Sequence, residues 1–87
     1  MNNINDTVKI LLNINNNDKD EIINYHSKSI KQSILNTCNL SVFPNELEYI
    51  VIEIVKEKLS SKNPKSTFEY LKEYKNELDN FNYVQII

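Results

Sequence analysis

His26 and Cys38 are the two side chains of this sequence best suited to chemistry, one imidazole and one thiol in 87 residues. An imidazole within hydrogen-bond reach of a thiol makes a general base beside a nucleophile. Here the two lie twelve positions apart in a stretch that reads as one helix, about 18 Å along its axis. That helix cannot close the dyad, and one His with one Cys leaves a metal short of ligands. The oxygen-rich run "NINNNDKDE", Asn13 to Glu21, invites a calcium-loop reading. Its spacing is wrong, and no glycine makes the sharp turn such a loop requires. The chain contains no glycine at all, so no glycine loop cradles a phosphate. These residues predict no catalytic group, no cofactor and no metal, and therefore not an enzyme. His26 and Cys38 read as packing or surface residues.

The bulk of the chain sets the remaining limits. The length fits one small domain that buries about 60–65% of the surface its unfolded chain exposes, so a lone subunit is marginal. Charged residues make up 25%, which argues against wholesale disorder. Asn, Ile and Lys abound while Gly, Ala, Arg and Trp are missing, the mark of an AT-rich coding sequence. The lack of glycine then says little about turns; asparagine is expected at the left-handed positions glycine would fill. Net charge is −2 and every cation is a lysine, so no arginine-rich patch grips nucleic acid. A lone cysteine forms no internal disulfide and suits a reducing cytoplasm. No signal peptide or membrane span is expected, since "VKILLNI" is too short to cross a bilayer.

Helical periodicity supplies the scaffold. Asp6 is a plausible N-cap for a short first helix carrying Val8, Leu11 and Leu12. Asp18 and Glu21 have the spacing of a capping box that opens a second helix over about 19–38. Ile23, Ile30 and Ile34 fall within about 40° of one another and form its core stripe. Ser27, Ser33 and Thr37 flank that stripe, either as close-approach positions or as solvated edges. Tyr25 and Leu35 lie off it, as candidates for a second contact. Pro44 fits the first position of a third helix, with Glu46 and Glu48 in its first turn and Lys56 and Lys58 toward its end.

On that third helix Leu47, Ile50, Val51, Ile54, Val55 and Leu59 cover a broad arc. Ile52 widens the arc and Tyr49 lies beyond it, while Glu46, Glu53 and Glu57 mark the solvent side. A helix apolar over so wide an arc is central, with partners on more than one side. "SSKNPKS" is a linker, because Asn63-Pro64 does not continue a helix. Ser66 and Glu69 form a second capping box for a helix to about Asn80 bearing Phe68, Tyr70, Leu71, Tyr74 and Leu78. The expected fold is all-α, a small up-and-down bundle of about four helices with an extended C-terminal tail. Residues 1–80 form the helical domain and 81–87 a docking segment. Phe81, Tyr83, Val84, Ile86 and Ile87 give that tail more apolar surface than the subunit has core left to receive.

The order of these pieces resembles one family. Val8-Lys9 with Leu11-Leu12, the acidic stretch Asp18 to Glu21, Ile34-Leu35-Asn36 with Asn39, and Pro44, Glu46, Leu47, Glu48 and Val51 are similar to the small head–tail connector proteins of long-tailed bacteriophages, also called head-completion or DNA-packaging adaptors. The likeness covers about residues 8–59, and "YLKEYKNEL" looks like the family's terminal helical segment.

The resemblance implies a structural adaptor with no catalytic residue and no cofactor. It implies a homo-oligomeric ring of about twelve subunits, matched to the portal above it. Such a ring extends the DNA channel, joins a downstream stopper or tail-completion protein, and lets DNA pass without specific binding. The site would be the head–tail interface of the virion, the subunit being made in the bacterial host cytoplasm, with no membrane involved. Tyr49, Ile52, Phe81, Tyr83, Val84, Ile86 and Ile87 are the candidate partner-binding residues. The competing reading is a small cytoplasmic regulatory or antitoxin-like helical homodimer, which clustered basic residues on one helix would favour; Lys28 and Lys31 are only loosely grouped.

Overall fold

A computed structural model of the chain describes residues 3–81. Five α-helices follow in order, with no strand among the described residues: α1 (Ile4–Leu11), α2 (Asp20–Cys38), α3 (Glu48–Ser60), α4 (Thr67–Glu73) and α5 (Lys75–Asp79). A 3-10 turn, Asn45–Leu47, leads into α3. The fold is all-α, as the periodicity predicts. α1, α2 and α3 pack on one another, and α4 and α5 lie against α2. α1 and α2 run antiparallel, because Asn5 meets Asn24 and Ser27 while Lys9 pairs with Asp20 at 2.7 Å.

The core is the one the third helix announces. Ile50, Val51, Ile54 and Val55 of α3 are buried together with Leu47, against Ile23, Ile30 and Ile34 of α2 and Ile4 and Val8 of α1. Each such side chain contributes about 1.5–3 kcal/mol when fully buried. Ser27 resolves as a close-approach position. It is buried, and its hydroxyl oxygen lies 2.6 Å from Asn5 Oδ1 and 2.8 Å from the Ile23 carbonyl, either of which can accept its one proton. Thr37 is exposed, and Ser33 is half-buried with its hydroxyl turned back to the Ser29 carbonyl.

Several boundaries differ from the sequence expectation, each for a local reason. Asn3, not Asp6, caps α1: its side-chain oxygen accepts the Asp6 N–H at 2.8 Å. The helix therefore starts earlier, its buried stripe is Ile4 and Val8 with Leu12 beside them, and Leu11 is exposed. The Asp18–Glu21 capping box does not form. Asp18 donates its N–H to Asn16 Oδ1 at 3.1 Å, and α2 begins at Asp20, which Lys9 holds. Pro44 is extended (φ −70°, ψ 134°) and precedes the 3-10 turn rather than opening α3, its carbonyl accepting the Leu47 N–H. Ser66 does cap α4 through the Glu69 N–H at 3.3 Å. The expected fourth helix is two, interrupted at Tyr74 (φ −105°, ψ 18°).

Asparagine takes glycine's place at two helix ends. Asn13 and Asn39 have φ of 57° and 56°, the positive values among the described residues. At each, the next residue closes a Schellman turn: Ile14 N–H reaches the Lys9 carbonyl at 2.8 Å, and Leu40 N–H the Leu35 carbonyl at 2.9 Å. Ile14 and Leu40 then pack against the core, the apolar contact that accompanies this ending. Asn39→Ala is expected to cost about 1 kcal/mol, since a Cβ without a local hydrogen-bonding group is disfavoured there. For a domain of this size the melting temperature should drop by about 4–8 °C, and Asn39→Gly should show no drop.

Candidate partner-docking site

The chemistry-bearing residues are kept apart. His26 is half-buried and meets the Tyr25 ring edge-on, centroids 5.5 Å apart. Cys38, at the other end of α2, is buried with its Sγ 3.5 Å from the Leu78 carbonyl of α5. Burial, and then the carboxylate of Asp79, push its thiol pKa up, which makes it a poor nucleophile. No group of three or more His, Cys, Asp and Glu side chains among the described residues is placed to hold a metal.

Burial, and after it the Lys58 ammonium, hold the His26 imidazole below its ordinary pKa of 6.5. With the folded value lowered, the unfolded chain binds the proton first as pH falls. Stability is then full above about pH 6.5 and declines below it until the folded pKa is passed. The urea midpoint should fall from about pH 7.5 to about pH 5.5, and His26→Gln should remove His26's share of that fall.

The surface carries more apolar material. Tyr49 is 48% exposed and meets Tyr74 edge-on, ring centroids 6.4 Å apart, where α3 faces the α4–α5 break. Ile52 and Phe81 are half-buried and pack against the core. Tyr83, Val84, Ile86 and Ile87 lie outside the described residues. The described part of the expected set is thus one exposed ring and two side chains shared with the core.

A second apolar feature was not singled out by sequence. Leu71 of α4 and Leu78 of α5, with Thr37 of α2, line a groove walled by Phe68, which is 68% exposed. Lys72, Lys75 and Asp79 border it. A signal was available. On a helical wheel Phe68 sits about 60° past Leu71 and about 160° from Tyr70, too far round to share their core face. Further exposed apolar side chains are Val42, Tyr25, Ile10, Leu11 and Ile22. On the opposite side of α4, Glu53 and Glu57 of α3 face Tyr70, Glu73 and Tyr74 across a polar cleft spanned by a Lys65–Glu73 ion pair.

The family described as phage gp6-like head–tail connector protein matches residues 5–84, a range that takes in nearly all of α1 and every later helix. The chain belongs to the phage gp6-like head–tail connector family. The match runs past Leu59 through the "SSKNPKS" linker and both short helices, well beyond the stretch whose motifs suggested it. No curated protein and no solved structure gives a significant match. A head–tail connector is a structural component of the phage virion, and it works through contacts with the portal and with tail components. No helix of this connector's described residues is long and apolar enough to cross a membrane.

Proposed function

We propose that this connector subunit forms a homo-oligomeric ring of about twelve copies below the portal, matching the portal's symmetry. The ring extends the DNA channel of the filled head and presents its far side to a stopper or tail-completion protein. Residues 1–80 are the helical adaptor domain and 81–87 the docking segment. Tyr49, Ile52, Phe81, Tyr83, Val84, Ile86 and Ile87 form the partner contacts. The observation that carries this reading is the family match over residues 5–84. It is supported by the open apolar groove lined by Leu71, Leu78 and the exposed Phe68, a contiguous feature of the kind that marks interaction sites.

DNA passes through the ring without specific binding. The net charge of −2 and the absence of arginine support this, since phosphate contacts supply most non-specific affinity. The test is co-sedimentation of the purified chain with the portal of its phage. Saturable capture by portal, with no retention of a short DNA duplex at physiological salt, is the expected result. Tight duplex binding with no portal capture would overturn the proposal.

A further inference from the structure

We infer that the groove between α2, α4 and α5 receives the C-terminal segment Tyr83–Ile87 of a second copy of this chain. Each subunit then donates a tail to one neighbour and accepts one from the other. The inference rests on the ring reading above and names the contact that holds the ring together.

The groove is suited to an uncharged, apolar guest. Its floor is Leu71 and Leu78, and its wall is the exposed Phe68 ring. The charges at its edge are already engaged: Lys72 Nζ sits 4.8 Å from the Phe68 ring centroid, and Lys75 pairs with Asp79 at 2.8 Å. Residues 82–87, "NYVQII", contain no charged side chain. They enter such a groove without stranding a charge, which burial would penalise.

Length agrees as well. From Phe68 to Leu78 the two short helices run about 15 Å. Five extended residues, Tyr83 to Ile87, span about 17 Å. In an extended segment Val84 and Ile86 share one face, so both can meet the floor together.

The donor is a neighbour, not the same chain. Phe81, the last described residue, packs against the core and is not among the residues lining the groove. To enter its own groove the chain would have to reverse immediately. A β-turn takes four residues, and residues 81–87 contain neither Gly nor Pro to tighten one. A tail inserted into a different copy's groove is a heterologous contact, the kind that repeats around a ring.

Two variants that each lack one half of the contact test this. A chain ending at Phe81 keeps the groove and lacks the tail; Phe68→Glu keeps the tail and puts a charge in the groove. Phe68 is mostly exposed, so the variant should fold, which a circular dichroism melt checks. Thr37→Glu, also exposed and lining the groove, replaces it if it does not. By sedimentation velocity each variant alone should be monomeric, and an equal mixture should contain a heterodimer. A mixture that stays monomeric overturns the inference. So does a truncated chain that melts well below the full chain at a concentration where the full chain is itself monomeric, because the tail would then be serving its own subunit. Portal capture of the full chain is measured alongside. Capture without heterodimer leaves the connector reading standing and removes the groove contact; heterodimer without capture does the reverse.

Discussion

Ile54→Asp is expected to abolish cooperative unfolding. Ile54 is 1% exposed in the middle of α3, a member of the core that α3 shares with α1 and α2, with the polar cleft toward α4 at its edge. The substitution removes about 2–3 kcal/mol of apolar burial. It also puts a carboxylate into the packed core at the edge of the polar cleft, whose Lys65 is already paired with Glu73, a further cost of several kcal/mol unless the helix shifts or the acid stays protonated. Small domains have about 5–15 kcal/mol in total, and a chain of this length belongs near the lower limit. A far-ultraviolet circular dichroism melt should show a sloping trace with no sigmoid. Val42→Asp, at a site 77% exposed, should melt within about 0.5 kcal/mol of the parent. A sigmoid for Ile54→Asp at the parent's midpoint would mean that this face of α3 is not buried.

Removing residues 82–87 should have the opposite profile, leaving the fold intact and ending portal attachment. The cut belongs after Phe81 and not before it, because the Phe81 ring packs against the core and its N–H donates to the Leu78 carbonyl at 2.9 Å. Helical content and melting temperature should stay within error of the full chain at a concentration where that chain is monomeric, while portal capture should fall to background. If the tail folded back on its own subunit, losing several buried large side chains would cost a few kcal/mol. The melting temperature would then drop by roughly 10 °C or more. A destabilised chain that still binds portal would remove the tail from the docking account.

The helices and the core were legible because their signals are periodic and redundant. Ile23, Ile30 and Ile34 repeat on one face, and the broad arc of α3 requires a central position whatever surrounds it. Asparagine in the left-handed helix ends was also readable, from the absence of glycine alone. Caps were harder, since the chain offers several candidates within a turn of one another. Asn3 outcompetes Asp6 and Asn16 takes the Asp18 N–H through bonds two or three residues long, and only the Lys9–Asp20 pair depends on how α1 meets α2. The break at Tyr74 has no Gly or Pro to announce it. The groove was missed for a related reason. Phe68, Leu71 and Leu78 look like one apolar set in sequence, and only the seating of α4 and α5 on α2 separates floor from wall. Tyr49 was correctly placed outside the core arc, because its angle on α3 is fixed by the same periodicity.

The central claim is that this chain is a ring-forming connector, and electron microscopy of the portal with and without the purified protein tests it most directly. The account predicts an added ring of density on the tail-side face of the portal, sharing the portal's rotational symmetry and enclosing an open channel. It predicts that the chain lacking residues 82–87 adds no such ring. Portal particles unchanged by saturating full-length protein, or decorated by isolated copies without rotational order, would contradict it.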